Sequence, residues 1–272
     1  MSIVVLGAVF VDIKGYPTGA YIPGGRNAGR VEQVHGGVSR NIAEDIANLE
    51  LRPVFIGLVD ETGIGEDVVR KLKNHKVDTS HMRRVPDGMG TWLAVFDDTG
   101  DVTASISKRP DLSPINDILD EEGDEIFRTA DSVLLEIDME TPTVQRVLKL
   151  AQKYHVPVYA AVSNMSIAVK RRDLLRHVDC LVCNRQEAGI FFSHDYSSFS
   201  PVRMADELAS AVYAADLKSM VVTMGGDGAV YADISGARGV VPAMSVAVRD
   251  TTGAGDAFFA GVAAGLTYHK TL

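Results

Sequence analysis

The chain has 272 residues, 46% of them hydrophobic and 23% charged, and a formal net charge of −9. That length serves one large domain or two small ones, and the composition is ordinary for a globular protein. The acidic balance excludes a general binder of nucleic acid or anionic membrane, which needs a basic footprint, and no apolar run approaches the roughly 20 residues that span a bilayer. Ser2 to Gly7 is too short for the apolar core of a signal peptide and has no basic stretch before it. Cys180 and Cys183 have no second pair, so Val178 to Cys183 reads as a buried strand rather than a redox or metal half-site. Together these features point to the cytoplasm.

Ile3-Val-Val-Leu6 predicts a buried first strand ahead of Gly7. Asp12 then stands straight after a core strand, a common turn position. A carboxylate there can also accept two hydrogen bonds from a vicinal diol. Tyr16 to Arg30 reads as a loop, and Val31 to His35 alternates weakly, as a half-exposed strand does. Gly36 and Gly37 let a ligand approach the backbone. Asn41 begins a helix with Ile42, Ile46 and Leu49 on one face. Alone, that segment is a turn and a helix cap. Pro53 to Val59 is another buried strand, and Asp60 to Gly65 leads into a helix carrying Ile64, Val68 and Leu72. Gly63-x-Gly65 lacks the third glycine of a dinucleotide fingerprint.

Thr91 to Phe96 and Asp101 to Ser107 flank Asp97-Asp-Thr-Gly100 as a hairpin with a four-residue turn. With the strand near residue 33 they form a small sheet away from the main one. Lys108 and Arg109 end the hairpin and read as solvent-exposed. From residue 114 onward helix and strand alternate, with strands at 132–137, 156–162, 180–183 and 220–224 and helices at 143–155 and 203–217. Alternation of that kind means parallel strands joined by crossover helices in a layered α/β sheet. Ligands of such sheets sit at the carboxyl ends of the strands, so Asp12, Asn184, Gly225 and Asp256 are expected on one edge.

Asn184-Arg-Gln-Glu187 by itself is a helix cap with an acidic first turn, and Thr223-Met-Gly-Gly-Asp-Gly228 is a glycine turn between strands. In Asp250 to Gly265, Thr252 to Asp256 reads as a helix start. Glycines at 253 and 255, first-turn N–H groups and the helix dipole make a natural phosphate site there. Asp256 in that turn is placed to take a proton from a hydroxyl. The competing reading is a capped core helix.

Asp250-Thr-Thr-Gly-Ala-Gly-Asp256 resembles the second signature, D-T-x-G-A-G-D, of the ribokinase-like or PfkB family of carbohydrate and nucleoside kinases. Gly36-Gly-Val-Ser-Arg-Asn41-Ile-Ala43 resembles the first, G-G-x-x-x-N-x-A; Asn184 to Glu187 resembles N-x-x-E, and the 223–228 turn resembles G-x-x-G. The four stand in the family's order across nearly the whole chain. The resemblance implies a ribokinase-like three-layer α/β sandwich with a mainly parallel central sheet, as one domain over 1–272. A small β-sheet lid would come from about 10–36 and 90–108. It implies ATP-dependent transfer of the γ-phosphoryl group to a primary hydroxyl of a sugar or nucleoside. Asp256 would be the base, and Gly253, Ala254 and Gly255 would supply anion-binding amides. Asp12, Gly36, Gly37 and Asn41 would hold the substrate. Asn184, Glu187, Thr223, Gly225, Gly226 and Gly228 would serve the nucleotide, Glu187 arranging Mg²⁺ through water. Asp250 and Thr252 would be half of a monovalent cation (K⁺) site. The family lid often pairs with a second subunit, which implies a homodimer. No Walker A sequence is present, which excludes a P-loop kinase.

The form G-G-V-S-R-N-I-A-E, with Gly25 to Gly29 and Met224 to Gly236, resembles the pseudouridine-kinase branch. Where that branch resembles V-D-P-V-S-x-x-K, this chain has Ala160-Ala-Val-Ser-Asn-Met-Ser-Ile167, so Ala161 and Ile167 replace an acidic residue and a lysine. The sequence also ends at Leu272, short of the helix or two that the family places next. The competing expectations are a free-sugar kinase, ribokinase- or ketodeoxygluconate-kinase-like, and a sugar- or nucleoside-binding protein that transfers no phosphate.

Overall fold

A computed structural model describes residues 2–248 and 251–272. The first half contains β1 (Ile3–Leu6), β2 (Phe10–Pro17), β3 (Gly29–Gly36), α1 (Val38–Asn48), β4 (Val54–Val59), α2 (Gly63–Asn74), β5 (Met82–Arg84), β6 (Gly90–Phe96), β7 (Val102–Lys108) and α3 (Ile115–Thr129). Then come β8 (Ser132–Glu136), α4 (Thr141–Tyr154), β9 (Val158–Ala161), the short helices α5 (Met165–Ala168) and α6 (Arg172–Leu175), and β10 (Cys180–Asn184). The chain closes with α7 (Arg185–Phe192), α8 (Pro201–Ala214), β11 (Ser219–Thr223), β12 (Ala229–Asp233), β13 (Arg238–Val241) and α9 (Ala254–Thr267).

The large sheet has the order β13-β12-β11-β10-β9-β8-β1-β4-β5. It is parallel from β5 to β11, and β12 and β13 add antiparallel to that edge. Strands buried on both faces read as continuous apolar runs. In β1, Val4 and Leu6 join the core beneath α3, α4, α7 and α8, while Ile3 and Val5 join the core beneath α1, α2 and α9. The two cores make three layers. Among the described residues, no helix is long and apolar enough to cross a membrane.

The second sheet, β3-β2-β6-β7, is reached from β1 through only Gly7, Ala8 and Val9, and it returns to α1 through Gly37. Three sequence expectations change here. Asp12 lies inside β2, opposite Val34 and Trp92, rather than in a turn after a core strand. The loop expected over 16–30 shrinks, because Tyr16 and Pro17 still pair with Arg30 and Gly29. Tyr16 stacks on Phe96 at 4.6 Å and Arg30 covers the Tyr16 ring at 4.4 Å, which outweighs the glycine and proline content. Leu49 is exposed at the end of α1, so the apolar face stops at Ile46. The hairpin and the helix–strand alternation fall where expected, and both cysteines are buried and free.

Candidate active site

Parallel strands end in register along one edge of the large sheet. Leu6 pairs with Leu135, Glu136 with Ala161, and Asn184 with Thr223. The start of α9 sits at this edge. Its N-cap is Gly253, at φ 75°, a left-handed conformation that glycine adopts without strain. Gly253 has no side chain with which to cap the first turn. The Ala254 N–H is taken by the Thr251 carbonyl at 3.1 Å, and among the described residues no backbone carbonyl takes the Gly255 or Asp256 N–H. Asp250 lies outside the described residues.

Asp256, in the first turn of α9, accepts a hydrogen bond from Asn41 Nδ2 at 2.8 Å. Burial pushes its carboxyl above the usual carboxylate range, and the Asn41 bond opposes that rise. One helical turn along α1, the Asp45 carboxyl is raised to about 6, first by burial and then by repulsion from Asp256, with Arg40 acting the other way. Arg40 is 4% exposed. It donates to Asn41 Oδ1 at 2.8 Å and pairs with Glu44.

Two cavities meet at α9. One of about 380 Å³ has Asp12, Gly36, Asn41, Asp45 and Thr252 to Ala254 in its wall. The other, about 150 Å³, is lined by Ala161, Asn184, Glu187, Thr223, Gly255 and Asp256. Asp12 faces Gly36 so closely that a Cβ on Gly36 would stand 2.7 Å from its carboxylate. Burial raises the Asp12 carboxyl, against the pull of Lys14 and Arg40. Asn184 and Glu187 form a complete capping box: Asn184 Oδ1 accepts the Glu187 N–H at 2.9 Å, and the Glu187 carboxylate accepts the Asn184 N–H at 2.8 Å. Burial raises the Glu187 carboxyl. Gly225, Gly226 and Gly228 form a tight turn after Thr223 but line neither cavity. Arg185 ties that turn to α7, donating to the Met224 carbonyl at 3.5 Å and to Asp227.

Beneath the site lies a buried acidic pair. Glu136 accepts from the Ala8 N–H at 3.2 Å and lies 3.0 Å from Ser39 Oγ, which is also 2.9 Å from the Leu6 carbonyl. One hydroxyl proton cannot serve both oxygens, and a neutral Glu136 that donates its own proton satisfies the set. Asp138 accepts from Arg109 Nη2 at 3.0 Å and from the Ser163 hydroxyl at 2.6 Å. Arg109 thus reaches inward rather than only to solvent. Burial, then repulsion from Asp138, lifts Glu136 from its ordinary 4.5 to about 7. The folded state therefore keeps a proton that the unfolded chain releases, so stability falls as pH rises from about 4.5 through 7. Glu136→Gln is expected to flatten that slope in urea titrations at pH 5 and pH 7.5; equal slopes in both proteins would refute a raised Glu136.

A sequence model described as pfkB family carbohydrate kinase matches residues 1–272. The chain belongs to the PfkB family. Among its relatives, guanosine-inosine kinase of Exiguobacterium acetylicum is 34% identical over 274 residues, covering 99% of this chain and 89% of that one. Pseudouridine kinase of Escherichia coli is 28% identical over 265 residues, covering 96% and 82%. The fold is ribokinase-like: the structure of Arabidopsis thaliana ribokinase complexed with ribose and ATP superposes with a TM-score of 0.84 at 23% identity, covering 99% of this chain and 86% of that one.

In this PfkB chain the motif residues Asp12, Gly36, Asn41, Asn184, Glu187, Thr223 and Asp256 all reach the two cavities. The sequence reading missed Arg40, Asp45, Glu136 and Asp138. The available signal was a carboxylate closing the apolar run Ser132-Val-Leu-Leu-Glu136, since a charge at a core position demands partners. Ala161 lines the smaller cavity, and Ile167 sits in α5.

Proposed function

We propose that this chain transfers the γ-phosphoryl group of ATP to the primary hydroxyl of a nucleoside, with purine nucleosides and pseudouridine the first candidates. One observation carries the reading: a half-buried carboxylate, Asp256, stands in the first turn of α9, in the wall of the smaller cavity and hydrogen-bonded to Asn41 of the larger one. The larger cavity suits the acceptor. Asp12 accepts hydrogen bonds from a ribose diol, while Gly36 and Asn41 close the wall beside it, and Gly37 lies behind them against the Ala8 to Phe10 backbone. The smaller cavity and the 225–228 turn suit the triphosphate, with Asn184 and Thr223 on its side. The acceptor hydroxyl gives its proton to Asp256 as its oxygen bonds to the γ-phosphorus. The bond from that phosphorus to the β,γ-bridging oxygen breaks, and ADP leaves. The open amides of Gly255 and Asp256 face the charge on the transferred group.

Among the described residues, no three His, Cys, Asp or Glu side chains gather to hold a metal. A lone Glu187 fits Mg²⁺ that keeps its waters, and that ion would neutralise charge on the phosphates. Potassium dependence of turnover checks the Asp250–Thr252 reading. A single domain working in the cytoplasm belongs to this proposal. So does a homodimer through the small sheet: Val31 and Ile106, 73% and 69% exposed, lie with Leu93 on the face opposite Asp12.

Support for a nucleoside comes from the 34% identity to a guanosine-inosine kinase. The test is ADP release with Mg-ATP and guanosine, inosine, pseudouridine or ribose. Release with a nucleoside and not with ribose is the expected result. Release with ribose alone would keep the chemistry and discard the nucleoside, and silence across the panel would discard the kinase.

A further inference from the structure

We infer that Arg40 is a positioning residue that fixes the Asn41 amide so that its NH₂ end faces Asp256; this rests on the kinase reading above. An asparagine side chain has a donor end and an acceptor end, and only its surroundings choose between the two orientations. Arg40 has donors alone and stays charged, so its fork can face only the oxygen of Asn41. That contact is 2.8 Å, and the opposite end of the amide then meets Asp256 Oδ2 at 2.8 Å. The three side chains form one directed chain from a buried cation to the carboxylate in the first turn of α9.

Two further observations separate this role from others. Arg40 is nearly sealed from solvent and lines neither cavity, which sets it apart from the residues facing a substrate. Nor is it required to neutralise Glu44, which also meets His75 at 3.3 Å and Lys71 at 3.7 Å. Among the described residues its Nε has no hydrogen-bond partner; the guanidinium meets Asn41 and Glu44 and, at 3.5 Å, the His35 carbonyl, at the expense of its own full satisfaction.

The consequence is read at Asp256. Among the described residues, the charged and titratable groups that line the two cavities or pair with those that do are Arg40, Glu44 and Asp45 from α1, Asp12 and Lys14 from β2, His35 from β3, and Cys183 and Glu187 from β10 and α7. Without Arg40 the Asn41 amide is free to turn, and Asp256 loses a donor that favours its ionised form. Its titration then moves upward, and because the base must be ionised to accept a proton, the acid limb of kcat/KM moves to higher pH with it.

The experiment compares wild type, Arg40→Met, Arg40→Lys, Asn41→Ala and the Arg40→Met/Asn41→Ala double variant. Two quantities are measured: the ¹³C titration of the Asp256 carboxyl, assigned with Asp256→Asn, and the pH profile of ADP release. In Arg40→Met the Asp256 titration is expected to rise and kcat to fall by about 10-fold, more than KM changes. Arg40→Lys should recover part of both, and Arg40→Met should add nothing once Asn41 is gone. A role confined to folding would lower the melting temperature and leave the titration in place. The inference is overturned if Asp256 titrates alike in wild type and Arg40→Met, or if the two single losses add. If the wild type turns over no acceptor, the kinase reading falls while the NMR titration still decides the role of Arg40.

Discussion

Asp256→Asn is expected to lower kcat by about 100- to 10,000-fold, the range that a positioned general base contributes. The amide is close in size to the carboxylate, so α9 keeps its packing while the proton acceptor is lost. Stability gives the control. Burial raises the folded-state titration of Asp256, so its contribution favours the folded state at low pH and fades as pH rises through the raised value. An uncharged amide has no such slope, and its removal of repulsion lets Asp45 titrate lower. The variant should therefore melt no earlier than wild type at pH 7 in a thermal scan, while ADP release collapses. Unchanged turnover would remove Asp256 from the chemistry.

Gly37→Ala is expected to cost about 3 kcal/mol or more, from backbone strain and overpacking together. Gly37 has φ 101°, and an added Cβ would stand 2.6 Å from the Ala8 carbonyl oxygen and 3.0 Å from the Phe10 nitrogen. Both are backbone atoms and cannot swing aside. The residue joins the small sheet to α1, so the same clash displaces Asn41. Urea unfolding should show a lower midpoint with an unchanged slope, and acceptor KM should rise in whatever fraction stays folded. A midpoint like that of wild type would mean that the connection between the sheets yields more readily than its geometry implies.

Much of the fold was legible because its signals are local. A strand buried on both faces needs an unbroken apolar run, and Ile3–Leu6 and Cys180 to Cys183 show theirs directly. Asn184 and Glu187 were readable because a capping box spans only four residues. Asp12 was misplaced because its strand carries Lys14, Gly15 and Pro17, and its pairing partners lie near residues 34 and 92. The second layer of the site was illegible for the same reason. Glu136 meets Ser39 across 97 positions, and the partner of Asp138, Arg109, ends a hairpin that looks solvent-facing. Nothing near either carboxylate in the sequence announces such company. Arg40 was quoted within a motif, yet its aim at Asn41 emerges only once α1 docks on α9.

The hydrogen bond between Asn41 and Asp256 joins positions 215 residues apart. It has a consequence for how the chain matures. β1 lies between β4 and β8, so the middle of the large sheet stays incomplete until the chain has been made past residue 132. The helix bearing Asp256 docks later still, against α1 near the opposite end of the chain. Contacts of such long range close late, after the loop entropy between them has been overcome. A nascent chain can therefore bring Asp12, Gly36 and Asn41 together before Asp256 joins them. On the role proposed for Asp256, activity requires this long-range contact and so reports on the docking of α9 against α1.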